Sequence, residues 1–274
     1  MEIKAMKEAR TLLTAFDYEP APVERGYTDR ALHINLGENL VEQRDIPAQV
    51  REKFIGGKGY GLRMLWDAVK PSTRWNDPEN AIVVAGGPIC GITQYPGSGK
   101  SLVCTISPMT DMPIDSNVGG YFGPYLKFSG FDAMEITGKS EHEVIIFIDG
   151  NGGKVTVETA PLEAVDGHVL AEQLTEMYAE DEEDKKNISV ICAGTAANYA
   201  NIGLLNFSFY DLRRQVARLK QAGRGGIGRV FRDKKIKAVV VRYRGTKGNL
   251  NKPVDQSRIN KAGIKLHRQI HDLD

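Results

Sequence analysis

Residues 117–130 read NVGGYFGPYLKFSG, and this stretch decides the architecture. Gly119 and Gly120 make a turn of bare backbone, because glycine adds no side chain and accepts conformations closed to other residues. The spacing of 121–128 predicts a short helix, and 133–137, just beyond Phe131 and Asp132, reads as a strand. Upstream, strands are predicted over 31–36, 81–85 and 101–106, with helices over 46–54 and 59–69, the second stopped by Pro71. Downstream, 144–149 and 154–158 pair across the turn residues 150–153. A second block follows, with a helix over 168–178, a charged run at 180–186 that reads as a solvated loop, and a strand over 188–192. A helix over 212–221, the glycine cluster 223–228, a strand over 236–242 and an amphipathic helix over 256–270 complete it. Hairpins mixed with helices, without regular alternation, give an α+β class rather than a doubly wound sheet.

Residues 1–26 lack sustained periodicity, start with a helix-like segment over 1–16 and end around Pro20 and Pro22. They are expected to be an extension that docks on a partner. Residues 27–245 then form the main domain, and 246–274 a linker with the terminal amphipathic helix. The 36 basic residues nearly balance the 35 acidic ones, so no global field favours nucleic acid or a membrane surface, and any anion site must be local. There is no leader-like apolar run and no stretch of the roughly 18 apolar residues that a bilayer span needs, so the expected location is cytoplasmic. Three widely spaced cysteines, Cys90, Cys104 and Cys192, do not make a zinc or iron–sulfur framework and read as small buried hydrophobes. Five histidines form no metal pattern; His267 and His271, four apart, read as a partly exposed helix face.

Two phosphate motifs begin and fail. PGSGKS at 96–101 ends like a Walker A loop, but Gln94 stands where its first glycine belongs, and the residues after it read as a strand instead of a helix. Gly223, Gly225 and Gly228 spell GxGxxG, yet the preceding segment is predicted helical and no acidic residue stands about 20 positions on. Those glycines still mark a close backbone approach, to something anionic given the flanking Lys220 and Arg224.

Four ordered blocks carry a family resemblance. FIGGKGYG at 54–61, NAIVVAGGP at 80–88 continuing through 96–108, NVGGYFGPYLKFSG at 117–130 and AGRGGIG at 222–228 resemble, in that order, elements of the aldehyde ferredoxin oxidoreductase family. The third is the most specific match. The resemblance implies two β-sheets with flanking helices forming a base under a tungsten bis-pterin cofactor. It implies aldehyde oxidation to an acid, with electrons leaving through a four-iron four-sulfur cluster. By position, Asn117 and Gln221 would hold Mg²⁺ between the pterin phosphates through their main-chain carbonyls, Gln221 standing where the family usually has alanine. Val118, Gly119, Gly120, Ala222, Gly223, Arg224 and Gly225 would line the cofactor. Lys220 replaces the usual arginine at the phosphates, and Lys100 the arginine between pterin and cluster; lysine keeps the charge but loses the planar fork.

In that family the cluster cysteines and the catalytic acid–base groups belong to later domains, so no catalytic residue is expected in this chain. The resemblance therefore points to the small subunit of a split enzyme. A large partner would supply the cluster and the substrate pocket, and ferredoxin or an iron–sulfur subunit would take the electrons. Two alternatives are a subunit of a tungsten-dependent benzoyl-coenzyme A reductase, which shares this domain, and a non-catalytic scaffold of a redox complex.

Overall fold

The computed structural model describes residues 3–160, 166–246 and 250–273. Residues 1–2, 247–249 and Asp274, assigned above to the terminal segments, lie outside the described residues.

The chain opens with helix α1 (Ile3–Glu8) and strand β1 (Leu12–Asp17), then passes through the hairpin β2 (Arg30–Asn35) and β3 (Leu40–Asp45) into helices α2 (Ala48–Phe54) and α3 (Lys58–Ala68). Strands β4 (Ile82–Ala85), β5 (Ser101–Ile106) and β6 (Pro113–Val118) lead to α4 (Phe122–Phe128), followed by β7 (Ala133–Thr137), β8 (Val144–Asp149) and β9 (Lys154–Thr159). Then come α5 (Gly167–Tyr178), β10 (Ile188–Cys192), the hairpin β11 (Leu205–Asp211) and β12 (Val216–Ala222), α6 (Ile227–Asp233), β13 (Ile236–Arg242) and α7 (Gln256–His271).

The strands form two mixed sheets, one ordered β1-β9-β8-β13-β10-β11-β12 and the other β3-β2-β7-β4-β5-β6. Alternation along each strand gives every sheet an apolar inner face. Leu32, Ile34, Met134 and Ile136 of the six-stranded sheet share one core with Ile146, Ile148, Val239 and Val241 of the seven-stranded one. Helix α4 is part of that core, and all its residues are buried. Phe122 meets Phe207 edge-on at 5.7 Å, while the buried Lys127 donates to the Gly26 and Gly87 carbonyls at 2.8 and 2.6 Å. Its charge is thereby turned to fixing two loops, although burial lowers its pKa. Outside the core, α1 and α5 cover the seven-stranded sheet through Met6, Leu170 and Leu174, and α3 covers the six-stranded one through Tyr60 and Leu65.

Several local expectations change. Residues 212–221 are not a helix: β11 and β12 form a hairpin in which Phe207 pairs with Lys220 and Asn206 with Gln221. Asp211 initiates the turn by accepting from the Arg213 and Arg214 N–H groups, and Gln215 takes φ 53°, a geometry that a helix through Leu212 would forbid. Strands β3 and β6 are also new; each lies at a sheet edge, where one polar side suffices and alternation fades. β6 begins at Pro113, as an edge allows. The helix-like start stops at Glu8, and Leu12–Asp17 joins the seven-stranded sheet beside β9. Beyond it Tyr18 packs on Phe131 at 4.8 Å, and Ala21 and Val23 are buried, so this segment is built into the domain.

The charged run at 180–186 is likewise more than a solvated loop. Asp184 is 4% exposed and accepts from the Arg244 guanidinium at 2.6 and 2.7 Å. Although burial opposes its ionisation, hydrogen bonds from Arg244, Asn187 and the Glu180 N–H bring its pKa down to about 2. A carboxylate whose pKa falls on folding stabilises the native state above its unfolded pKa, about 4, and loses that contribution as pH drops from there to about 2. Asp184→Ala is expected to cost about 1–2 kcal/mol near neutral pH, because it removes the charge-assisted hydrogen bonds from Arg244, which keeps Glu180 at 2.8 Å as its other carboxylate. Denaturant titrations at pH 7 and pH 2.5 check this: the difference between the two proteins should shrink at the lower pH.

Candidate functional site

Strand β6 is one edge of the six-stranded sheet and β12 one edge of the seven-stranded sheet, and the two edges face each other. The Arg224 N–H donates to Ser116 Oγ at 3.1 Å, tying the loop after β12 to β6. Gly225 and Gly226 turn that loop with φ 70° and 68°. A Cβ at Gly225 would lie 2.5 Å from Ile114 Cγ1, and one at Gly226 1.9 Å from the Asn201 carbonyl oxygen, so both positions are closed to side chains.

The same junction gathers the residues expected to line a cofactor. Asn117 and Val118 end β6, opposite Leu102 and Ser101 of β5, which places Lys100 beside the Gly119–Gly120 turn. A Cβ at Gly99 would lie 2.7 Å from the Gly120 carbonyl oxygen, so these loops touch. Across the junction, Lys220, Gln221 and Ala222 end β12, with Lys220 Cγ 3.8 Å from where a Gly119 Cβ would stand. Val118 and Ala222 are buried and can offer only backbone, whereas Lys100, Asn117, Lys220, Gln221, Gly223 and Arg224 are exposed. FIGGKGYG joins through the Gly57 N–H, which donates to the Gly86 carbonyl at 2.8 Å, and through Lys58, which pairs with Asp115 of β6 at 2.6 Å. The Lys58–Asp115 pair and Ser116 escaped the sequence reading; only the glycines around Lys58 gave a signal there.

Two features make this junction a binding surface. Among the described residues, Lys100, Lys220 and Arg224 have no carboxylate partner, and Lys220 has only the Phe209 ring, 5.9 Å away. Gly119 and Gly223 also lack a packing reason: a Cβ at Gly223 would meet nothing within 4 Å, and one at Gly119 only the Lys220 side chain. Free cations around open, side-chain-free backbone fit a phosphate-bearing ligand. A groove of about 780 Å³ lies on another flank, near His33, Arg44 and Glu135, and no candidate residue lines it.

Other motifs resolve as local structure. Ser101–Ile106 is a strand, which removes the P-loop reading. The segment before Gly223 is a strand, contrary to expectation, but β11 and β10 separate β12 from β13, so no parallel βαβ unit exists for a dinucleotide. All three thiols are buried, which pushes their pKa values up to about 11 for Cys90 and about 12 for Cys104 and Cys192.

Comparison with known proteins agrees with this architecture. The family described as "Aldehyde ferredoxin oxidoreductase, N-terminal domain" matches residues 31–243. A "Tungsten-containing aldehyde ferredoxin oxidoreductase" of Pyrococcus horikoshii is 33% identical over 217 residues, 79% of this chain and 33% of that protein. An "Aliphatic sulfonate oxidoreductase, WOR-like subunit" of Pyrococcus furiosus is 27% identical over 223 residues, 80% of this chain and 35% of that one. Among solved structures, the "Active site complex BamBC of Benzoyl Coenzyme A reductase in complex with 1,5 Dienoyl-CoA" superposes with a TM-score of 0.68 at 30% identity, covering 80% of this chain and 31% of that one. This chain thus spans about a third of the length of these relatives. With two sheets, flanking helices and the matched span all in agreement, the chain belongs to the aldehyde ferredoxin oxidoreductase family, of which it carries the N-terminal domain.

Proposed function

We propose that this chain is the cradle subunit of a tungsten-pterin oxidoreductase. It holds the cofactor phosphates at the β6–β12 junction, while a larger partner provides the cluster and the substrate pocket. The observation that carries the reading is the pairing of unpartnered cations with open glycine backbone on two facing sheet edges. Lys220 and Arg224 supply charge to the phosphates, with Arg224 alone offering a planar fork. Gly119, Gly120, Gly223 and Gly225 let the main chain approach, and the carbonyls of Asn117 and Gln221 are the Mg²⁺ ligands of this reading. Lys100 stands at the flank, where its charge acts on a cluster held by the partner. The bis-pterin, when bound, supplies the two-electron redox centre; this chain binds and orients it, and residues 27–245 do that work.

Substrate choice belongs to the partner, so an aldehyde oxidoreductase is the first reading. An aromatic acyl-coenzyme A reductase is the second, favoured by the TM-score of 0.68 with a benzoyl-coenzyme A reductase complex. No helix among the described residues is long and apolar enough to cross a membrane, and a cytoplasmic complex that delivers electrons to ferredoxin or an iron–sulfur subunit fits the reading. The isolated chain is expected to show no aldehyde-dependent viologen reduction and no stoichiometric iron. The complex purified through this chain should contain about one tungsten per copy. Viologen reduction by the isolated chain, or a complex devoid of tungsten, contradicts the proposal.

A further inference from the structure

In the six-stranded sheet β2 and β7 run side by side, with His33 beside Glu135 and Asn35 beside Thr137. The alternation that buries Leu32, Ile34, Met134 and Ile136 in the shared core turns these four polar residues to the outer face. There they line the groove of about 780 Å³. His33 and Glu135 are only 6% and 8% exposed, and His33 Nδ1 meets Glu135 Oε2 at 2.7 Å. His33 Nε2 and Glu135 Oε1 have no hydrogen-bond partner, so each keeps a free atom on the groove floor. Burying an ionisable pair costs desolvation that an apolar floor would avoid. The wall above it is apolar, made by Ile46, Val50, Met64 and Ala68. Charge around the groove is lopsided. Arg44, Arg63 and Lys139 are already paired, with Glu42 at 2.7 Å, Asp67 at 2.9 Å and Asp233 at 2.6 Å. Among the described residues, the lining carboxylates of Glu38, Asp45 and Glu79 have no ion-pair partner.

We propose that this groove binds a linear alkyl polyamine, a ligand unrelated to the cofactor and held on a different face of the domain. Glu38 follows β2 and Asp45 ends β3, so at about 3.3 Å per residue they stand roughly 20 Å apart along that strand. Glu79 belongs to the Glu38 end, because the Gly138 N–H donates to the Pro78 carbonyl at 2.8 Å and a Cβ at Gly138 would lie 2.5 Å from the Gly37 nitrogen. The register sets His33 and Glu135 between the two ends. Carboxylates at both ends and in the middle match ammonium groups separated by methylene runs, which the apolar wall covers. A single metal ion fits poorly: among the described residues no group of three His, Cys, Asp or Glu side chains converges to hold one. The groove is also preformed at its Glu79 end, where buried Lys234 donates to the Pro78 and Gly138 carbonyls at 3.1 and 3.0 Å, which lowers the ordering cost of binding. Burial brings the Lys234 pKa down to about 7, so this lysine is a weak counter-charge to Glu79.

The test titrates the full-length chain with spermine by calorimetry, with magnesium chloride at matched ionic strength and a lysine tripeptide as parallel arms. Spermine should bind at one site per chain. Glu38→Gln with Glu79→Gln should weaken it about fivefold or more, and Glu135→Gln should weaken it as well. Glu38 and Glu79 are exposed, so that double variant should melt as the wild type does and keeps the test decisive even where Glu135→Gln disturbs folding. Glu182→Gln with Glu183→Gln, on the remote charged run, should leave binding unchanged. Absent spermine binding, binding that magnesium reproduces, or binding that the Glu38 and Glu79 changes leave intact overturns the site. Tighter binding of the lysine tripeptide, lost in the same variants, overturns the assignment to a small amine in favour of a basic protein segment.

Discussion

Replacing Gly119 by valine is expected to strip tungsten from the assembled complex while leaving this chain folded. Gly119 has no positive φ to protect, and its Cβ position meets only Lys220 Cγ at 3.8 Å, an ordinary contact. Valine therefore fits the free chain, and its stability should change by no more than about 1 kcal/mol. Its branched side chain would occupy the space through which main chain and Lys220 reach a phosphate. Retained tungsten should fall about tenfold or more, the loss expected when charge-assisted contacts of about 1.5–3 kcal/mol are blocked. Asn117→Ala, which removes an exposed side chain and keeps the carbonyl, should lose far less. Metal analysis of both complexes beside thermal melts of the free chains gives the comparison; equal tungsten in the Gly119→Val complex and the wild type rejects main-chain approach at this turn.

Arg224→Ala and Lys100→Ala should separate two kinds of electrostatic work. Arg224 sits on a loop whose place is already fixed by its own N–H on Ser116 Oγ and by the closed positions Gly225 and Gly226. Removing the guanidinium would therefore delete the proposed phosphate contact without releasing the loop, and tungsten retention should drop about tenfold or more. Lys100 is exposed at the end of the turn that packs on Gly120. A positive charge near the cluster favours its reduced, more negative state, so Lys100→Ala should keep tungsten and lower the cluster potential. Metal content and redox titration of the two complexes decide between them. Tungsten loss from Lys100→Ala, with an unchanged potential in the residual loaded enzyme, would reverse the roles.

The parts legible in the sequence were those whose physics is local. Glycine pairs at 119–120 and 223–226 announce bare backbone wherever they fold, and the long apolar strands at 144–148 and 236–241 admit few other readings. The helix after Gly120 was visible from its spacing, although its complete burial between two sheets was not. Edge strands hid because half of each faces solvent: β3 and β6 carry little alternation, and β12 has apolar residues at 216, 217, 219 and 222, which suit a helix as well as a strand. The Asp211 turn, with its local bonds from the Arg213 and Arg214 N–H groups, and the ladder that β12 then forms with β11 settle that ambiguity. The meeting of the two glycine turns rests on a contact between Ser116 and Arg224, 108 positions apart, which no local pattern encodes.

With the cofactor over the facing edges β6 and β12, as proposed, tungsten itself reports its position by anomalous scattering. Crystals of the complex measured at a tungsten absorption edge should show one strong peak per copy of this chain, above the junction between residues 117–120 and 220–225. A peak against another face of the domain, or none in a complex that retains its partner, contradicts cofactor binding at this junction.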